Sequence, residues 1–354
     1  MARNSFPTND PGIKPKRHGQ KTGSAILTWL YLHVLKLWRE ALRIGIVTDS
    51  CCDLPRSFID RNGIVILPIT ISSASQQFID NRNPGATLEF YWRIKQGETT
   101  FESAPLSVEE IRSLFLERLV VEYDYIFCLT VMASRSRIHE YATQASFGIL
   151  NSYKPVREAA GVGGPFSLRV FDTGTLFPGQ GLIVAEVARL VREERSTLEI
   201  IRHIEMLQRL TQAFLIPENL DQLRRQARSK GDKSVGLASY LLGSALDIKP
   251  IIRGFQGQTE PVGRVRGFES GAERLFAAAC QQIEAGLMAP TICISYGGEI
   301  DRITTLPGWN ALVELARERG VTIHVAEMSA TAAVNIGVDG LALAFASTRE
   351  ARFD

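Results

Sequence analysis

From residue 43 onward, short apolar runs alternate with segments in which apolar residues recur at helical spacing. Four of these runs predict buried strands: RIGIVT, IVILPITI, YDYIFCLTV and SLRVFDT. The segments between them predict helices: LPRSFIDRNG, TLEFYWRIKQG, SVEEIRSLFLERLVVE and RIHEYATQASFGIL. Strands that alternate with helices favour a mostly parallel sheet whose two faces are covered by helices. The pattern therefore predicts an α/β fold.

The later part of the chain combines helices with strands that follow one another directly. The segment QGLIVAEVARLVREE predicts a helix, and a second helix is predicted to start near Ser196. The segment DIKPIIRGFQGQTEPVGRVR predicts a β-meander with turns at Gly254 and Gly257. TICISYGG and TIHVAEMS predict two more strands around the helix LPGWNALVELARERG.

The beginning of the chain has a different pattern. Residues 1–23 are polar, basic and interrupted by proline and glycine, so we expect a disordered tail. Residues 24–42 predict an amphipathic helix capped by Ser24. Its apolar run is broken by His33 and Lys36, well short of the ~20 residues that cross a bilayer. Two interpretations stay open: a helix packed on the protein or on a second copy, and a helix lying on a membrane surface.

Length, charge and cysteine usage narrow the class of protein. The 354 residues are enough for two domains. The 40 basic residues face 38 acidic ones, so the net charge of +2 gives no reason to expect nucleic-acid binding. The five cysteines form no CxxC pair and no zinc-ligand spacing with histidine, which favours a reducing cytoplasm and no metal.

The sequence does not contain the residue spacings of the common catalytic motifs. The residue two after Asp49 is Cys51, so the Asp-x-Asp of one phosphatase class is missing. Neither cysteine of the pair at 51–52 has an arginine six residues on, and GxxxxGK[ST] and GxSxG are absent. Histidine is too scarce to support a serine triad or a histidine metal site. A small-molecule hydrolase or phosphotransferase that uses Asp49 or Asp172 remains an alternative.

Polar side chains instead gather where predicted strands end and helices begin. Ligands of parallel sheets bind outside the carboxyl ends of the strands. Ser103 and Ser107 precede one helix, with Glu110 completing a capping box, and Ser134 and Ser136 precede another. Each serine alone is explained by N-capping, but together they suit an anion such as a carboxylate or phosphate. Other polar residues at strand ends are Thr48, Asp49, Ser50, Thr130, Asp172 and Thr173.

Several blocks of the chain resemble the DegV family, in one order from about Arg43 to the C-terminus. They are IGIVTDSCCDLP, YDYIFCLTV, VFDTGTLFPGQGLIVAEVARLV and LLGSALDIKPIIRGFQGQTEPVGRVR. The resemblance implies a two-domain α/β fold. Residues 43–165 would form an N-terminal domain with a mostly parallel sheet flanked by helices. Residues 166–354 would form a C-terminal α/β domain with a mainly antiparallel sheet, and a ligand tunnel would lie between the two.

The resemblance also implies a function. Proteins of this family look like bacterial carriers that bind a fatty acid and present its carboxylate to a separate kinase, which supplies ATP. The carrier has no complete active site and needs no cofactor besides its bound fatty acid. Such a protein would serve phospholipid metabolism in the cytoplasm. Peripheral contact with the inner face of the membrane through residues 24–42 would be compatible with that role.

The carboxylate-binding residues follow from aligned positions of the family motifs. The family's threonine falls on Ser103 and its serine on Ser136, although a slip of two residues would select Ser134. The family's head-group histidine falls on Tyr296, whose phenol can donate a hydrogen bond. We therefore expect Ser103, Ser136 and Tyr296 to hold the carboxylate.

Other positions of the family motifs carry weaker expectations. Asp49, Ser50, Ser134, Arg137 and Asn335 would line the cleft, and the alternative for Asp49 is a simple cap. Arg228 and Arg266 keep arginines that serve partner or membrane docking in the family. The changed head-group loops, with arginine at 135 and 137, leave open a lipid sensor or scaffold with a different ligand.

Overall fold

The computed structural model describes residues 42–74, 76–97, 101–220 and 247–353. Arg43–Asp354 form one compact unit. The predictions for residues 1–23, for all but the last residue of the helix 24–42, and for Arg228 lie outside the described residues.

Most of the predicted helices and strands are present in the predicted order. Among the described residues, the sequence pattern misses four strands (Gln77–Asp80, Glu102–Pro105, Thr211–Ile216 and Leu341–Ala346) and three helices (Tyr153–Ala159, Phe268–Ala285 and Ala330–Ile336). The strands are β1 (Ile44–Asp49), β2 (Val65–Leu67), β3 (Ile69–Ser72), β4 (Gln77–Asp80), β5 (Glu102–Pro105), β6 (Tyr125–Thr130), β7 (Ser167–Asp172), β8 (Thr211–Ile216), β9 (Ile248–Phe255), β10 (Gln258–Arg266), β11 (Thr291–Tyr296), β12 (Thr322–Glu327) and β13 (Leu341–Ala346). The helices are α1 (Arg56–Arg61), α2 (Pro84–Lys95), α3 (Val108–Leu114, continued by a π-helical turn Phe115–Leu119 and Val120–Glu122), α4 (Ile138–Gly148), α5 (Tyr153–Ala159), α6 (Pro178–Arg192), α7 (Thr197–Leu210), α8 (Phe268–Ala285), α9 (Trp309–Glu318) and α10 (Ala330–Ile336).

The strands are arranged in three sheets. Sheet 1 is four-stranded and parallel, with the order β2-β1-β6-β7. Sheet 2 is six-stranded, with the order β10-β9-β8-β13-β11-β12, and antiparallel except between β11 and β12. Sheet 3 is a small antiparallel sheet with the order β4-β3-β5. The predicted α/β fold, with one parallel and one mainly antiparallel sheet, is confirmed.

Two local predictions are wrong. IVILPITI is divided at Pro68 into β2, which joins sheet 1, and β3, which joins sheet 3. Proline has no N–H to donate to a ladder, so it lies naturally where the chain leaves one sheet for another. Gly254 lies inside β9, and the hairpin turn is formed by Gln256 and Gly257, both at positive φ.

Sheet 1 takes its last strand, β7, from beyond residue 165. The outer strand of the sheet predicted for the N-terminal domain therefore comes from residues beyond the predicted domain boundary at residue 165. The division into two domains stays a prediction.

Helix α6 lies between sheets 1 and 2. Twelve of its fifteen residues are buried, an unusual fraction for a helix because both of its sides face a sheet. The apolar cluster around it contains Ile46 and Phe127 of sheet 1 and Cys293 of sheet 2. At Gly181 a Cβ atom would come within 2.8 Å of the Asp53 carbonyl oxygen, so only glycine allows this close packing. Helices α3 and α4 cover the other face of sheet 1, and α8 and α9 cover the other face of sheet 2.

Candidate functional site

Asp49 ends β1 at the carboxyl edge of sheet 1, and its carboxylate is fully buried. One oxygen accepts the backbone N–H of Cys51 at 2.9 Å, and the other accepts that of Val131 at 2.7 Å. Burial raises the pKa of Asp49 to about 6, and these two backbone hydrogen bonds oppose the rise. The side chain thus joins the loops after β1 and β6. This favours the cap interpretation, and a cleft-lining role for Asp49 stays a prediction.

Ser50 is also buried, and its side chain likewise holds two segments of backbone together. Its Oγ accepts the backbone N–H of Ile69 at 3.1 Å, which fixes the start of β3 against the end of β1. Asp172, at the end of β7, accepts the N–H groups of Ala133 and Gly174 at 3.1 and 2.9 Å. The polar groups at this edge of sheet 1 therefore mainly organise the loops that surround it.

Ser103 lies in β5, an edge strand of sheet 3 that the sequence pattern does not predict. It stands opposite Ile71 of β3, and directly opposed residues point to the same face of a sheet. Ile71 belongs to the buried cluster that contains Ala333 of α10. The Ser103 hydroxyl is exposed and makes no hydrogen bond to any described residue. Two residues beyond β5, Ser107 and Glu110 form the predicted capping box of α3.

The loop between β6 and α4, residues 131–137, holds the second predicted group of serines, and we call it the serine loop. The Ser134 hydroxyl donates to the carbonyl of Gly257 at 2.7 Å, and Arg135 donates to Thr259, so the loop is fastened to the β9–β10 hairpin. Ser136 is half-buried and its Oγ accepts the N–H of Ile138 at 3.3 Å, which leaves its O–H without an acceptor among the described residues.

Arg137 is the last residue of this loop, and its side chain is directed toward α4. Its guanidinium pairs with Glu140 at 3.1 Å and lies over the ring of Tyr141 at 4.8 Å, both on that helix. A cleft-lining role for Arg137 stays a prediction.

Tyr296 lies on the face of sheet 2 that packs against α8, with its ring 6.4 Å from that of Phe268. Its neighbour Ser295 points to the opposite face, because side chains alternate along a strand, and bonds there to Asp53. Burial, followed by the charge of Asp339, raises the pKa of Tyr296 to about 12. The structure therefore places this phenol on the side of sheet 2 away from sheet 1, and its carboxylate-binding role stays a prediction that the fold does not favour.

Asn335 and Arg266 lie in separate parts of the protein. Asn335 is half-buried on α10, where its amide donates to the carbonyl of Thr331 at 2.6 Å. Arg266 is exposed at the end of β10, opposite Ile248 of β9. The serine loop is bonded to the hairpin turn at the other end of β10, so the structure does not bring Arg266 close to it.

A buried ionic network that the sequence does not reveal joins sheets 1, 2 and 3. We call it the Arg82 network; its members are Asp53, Asp80, Arg82, Ser295, Ser329 and Thr331. Asp53 accepts the Ser295 hydroxyl at 2.6 Å and the N–H of Ser329 at 2.8 Å. Asp80 accepts both the N–H and the hydroxyl of Thr331 at 2.9 Å.

Arg82 is the cation of this network, and its charge opposes the rise in pKa of both Asp53 and Asp80. It has a left-handed backbone with φ 64°, it is 5% exposed, and its Nη1 lies 3.5 Å from Asp53. Its Nη2 donates to the carbonyls of Leu54 and Glu327. Nε and Nη1 have no hydrogen-bond partner among the described residues. One cation thus compensates two buried carboxylates and holds the residues after β4 against the loop before α1 and against β12.

The buried carboxylate of Asp53 in this network predicts that the stability of the protein depends on pH. Burial raises the pKa of Asp53 to about 6, with Arg82 opposing the rise, against 3.8 in the unfolded chain. The folded protein therefore holds this proton more tightly, and the contribution of Asp53 to stability decreases as pH rises from about 4 to about 6. We expect the wild type to lose stability relative to Asp53→Asn across this window and the difference to stay constant above pH 7. Urea unfolding of both proteins at pH 4.5, 5.5, 6.5 and 7.5 measures it. A constant difference at all four values would contradict the prediction.

A continuous apolar cluster lies beside these polar residues. Leu215, Ile252 and Ala342 stand opposite one another on three neighbouring strands of sheet 2. They belong to the same buried cluster as residues of the serine loop, of the loop before α6 and of α10. We call this part the interlayer cluster; its members are Val131, Met132, Ile138, Leu176, Phe177, Leu215, Ile252, Met328, Ala332, Ile336 and Ala342. It joins the loops above sheet 1 to the inner face of sheet 2.

Neither a candidate metal site nor a candidate membrane span is found among the described residues. No group of three or more histidine, cysteine, aspartate or glutamate residues among them could hold a metal ion. Within those same ranges, no helix has the length and apolar character that a membrane crossing requires. A surface pocket of about 200 Å³, lined by Ile44, Ile46, Arg61, Ala188 and Arg192 among others, lies at the opposite end of β1 from the serine loop.

Comparison with known proteins identifies a family. Residues 43–348 match the sequence model of the family described as "Uncharacterised protein, DegV family". A DegV domain-containing protein of Xanthomonas campestris is 48% identical over 307 residues, which cover 86% of this chain and 98% of that protein.

Solved structures show the same fold. A DegV family protein from Thermus thermophilus, described by its fatty acid binding, is 23% identical with a TM-score of 0.68 and covers 86% of this chain and 100% of its own. A stearic acid-binding protein from Eubacterium ventriosum is 18% identical with a TM-score of 0.69 and covers 86% of this chain and 98% of its own. At these identities the likeness establishes the fold alone.

Proposed function

This chain belongs to the DegV family, and we propose that it binds a long-chain fatty acid. The acyl chain would lie in the interlayer cluster, and the carboxylate would be held by Ser103 and Ser136. The observation that carries the proposal is the apolar cluster that runs from the serine loop to the inner face of sheet 2. Family members of known structure that are described as binding fatty acids support it.

The two serines suit a carboxylate because each has a hydroxyl hydrogen that no described residue accepts. A carboxylate has only acceptor oxygens, so it needs such donors. Ser134 is less suitable, because its hydroxyl already donates to Gly257. The contacts thus favour Ser136 over the alignment that is shifted by two residues.

We further propose that the protein is a carrier and that a separate kinase supplies ATP to phosphorylate the bound carboxylate. Asp49 and Asp172 are the candidate acids of the rival hydrolase or phosphotransferase. Both accept two backbone N–H groups and thereby hold loops in place. This arrangement supports a structural role for them. Phosphorylation by a purified partner kinase, with no ATP turnover by the carrier alone, is the expected result. ATP hydrolysis by the isolated protein would support the rival.

Native mass spectrometry of the purified full-length protein, followed by identification of the released ligand, tests the binding proposal directly. We expect a plain fatty acid of 14 to 18 carbons. A phosphorylated or otherwise modified lipid would instead favour the lipid sensor or scaffold with an altered ligand. Arg135 in the serine loop supports this second function, because an arginine there is one of the changes in the head-group loops. If the protein retains no lipid and does not bind an added fatty acid, both the fatty-acid carrier and the lipid sensor or scaffold are contradicted.

Substitution of the two serines tests the head-group site. We expect Ser103→Ala and Ser136→Ala each to weaken fatty-acid binding about ten- to a hundredfold, because each removes one hydrogen bond to a charged carboxylate. Binding of a fluorescent fatty acid to delipidated protein measures the effect. Ser146→Ala is the matched control, since its hydroxyl bonds to a carbonyl within α4. Equal affinities for all three variants and the wild type would place the carboxylate elsewhere.

A further inference from the structure

Phe177 has a backbone conformation that is normally reserved for glycine. Its φ of 53° and ψ of −117° correspond to the first central position of a type II′ turn. The residue immediately precedes Pro178, the first residue of α6. A bulky side chain is costly in this conformation and persists only where the surrounding structure imposes it.

The loop that contains Phe177 is held from both sides. On the sheet 1 side, the N–H of Met132 donates to the carbonyl of Thr175 at 2.9 Å. On the sheet 2 side, the N–H of Gly257 donates to the carbonyl of Gly174 at 2.7 Å. These bonds leave the backbone little room to relax the strain at Phe177, so its ring has a defined position.

That ring is buried in the interlayer cluster. The preceding residue, Leu176, packs so closely on β9 that a Cβ at Gly254 would come within 3.1 Å of its Cγ. The loop therefore contributes two large apolar side chains to the buried cluster that also contains Met132 of the serine loop and the Leu215–Ile252 pair of sheet 2. A glycine at 177 would suit the backbone, but it would leave this space unfilled.

We propose that the ring of Phe177 is the wall that limits the length of the acyl chain, which makes Phe177 a specificity-determining residue. The inference rests on the proposed fatty-acid binding. A chain that enters from Ser136 and follows the interlayer cluster toward sheet 2 meets this ring inside the protein. Each methylene that fits before the wall strengthens binding by about fourfold. A methylene that would have to pass the ring gains nothing.

The test measures dissociation constants of delipidated full-length protein for saturated fatty acids of 8 to 20 carbons. For the wild type, affinity rises with each methylene up to a limiting length and then stops rising. In Phe177→Gly, which removes the ring and suits the backbone, the limiting length increases by at least two carbons. Phe177→Leu shows a smaller increase and carries the test if the glycine variant does not fold. Phe276→Leu, in the cluster on the other face of sheet 2, keeps the limit of the wild type.

The outcomes separate this inference from the proposed function. If the wild type binds fatty acids and the limiting length is the same in the Phe177 variants, Phe177 is not the wall and only this inference is overturned. The inference is also overturned if Phe276→Leu shifts the limit equally. If the wild type binds no fatty acid of any length, the proposed function is overturned together with it.

Discussion

Replacement of Arg82 by methionine is expected to lower the free energy of unfolding by about 3–5 kcal/mol at pH 7.5. The substitution leaves the buried carboxylates of Asp53 and Asp80 without their shared cation. Methionine has a similar unbranched stem and has a side chain at the same left-handed φ, so the backbone strain is unchanged. The effect therefore reports the missing charge and the hydrogen bonds to Leu54 and Glu327. Urea-induced unfolding, followed by circular dichroism, measures it.

Arg118→Met is the matched control for this prediction. Arg118 pairs with Glu122 one turn away at 2.9 Å, and its side chain is half exposed. Surface pairs of this kind contribute about 0.3–0.5 kcal/mol, so we expect a change of that size or less. Similar losses of stability in the two variants would mean that the Arg82 network contributes no more than a surface ion pair.

Tetradecanoate is expected to bind about 10³–10⁴ times more tightly than octanoate. The difference of six methylenes corresponds to roughly 5 kcal/mol if all six leave water, at about 0.8 kcal/mol for each buried CH₂. An acyl chain that lies in the interlayer cluster is shielded from water along its length, whereas one that lies on the surface is not. Isothermal titration of delipidated protein below the critical micelle concentrations gives both dissociation constants.

The head group supplies the internal control for this comparison. Both acids have the same carboxylate, so contacts to Ser103 and Ser136 cancel in the ratio. A ratio below about ten would indicate that the protein recognises mainly the carboxylate, with the chain left in water. Binding at the interlayer cluster would then be excluded.

These expectations depend on features that the sequence reveals to different degrees. Local patterns are predicted correctly: the capping box of Ser107 and Glu110 is present, and α7 starts next to Ser196, where its start is predicted. A cap depends only on residues three positions apart, so its chemistry is contained in a short stretch of chain. The alternation of strands and helices predicts the parallel sheet for the same reason.

Contacts between distant residues are not contained in such patterns. Asp53 and Ser295 are 242 positions apart, and nothing near Asp53 in the sequence indicates a partner on sheet 2. Arg157 is equally hidden, since it is fully buried and donates to the carbonyls of Val120 and Tyr123. Composition suggests that an arginine lies at the surface, and only the packed structure supplies the acceptors that allow its burial.

The sequence by itself determined most of the strands and helices, the capping box of α3 and, through its motifs, the DegV family. The tertiary structure alone decided that Tyr296 points away from sheet 1, that Ser134 is already bonded, and that Phe177 is held at positive φ inside the interlayer cluster. The physical reason is that periodicity and capping are local properties of the chain. The face that a strand residue occupies, and the partner it meets there, depend on which strands and helices pack together.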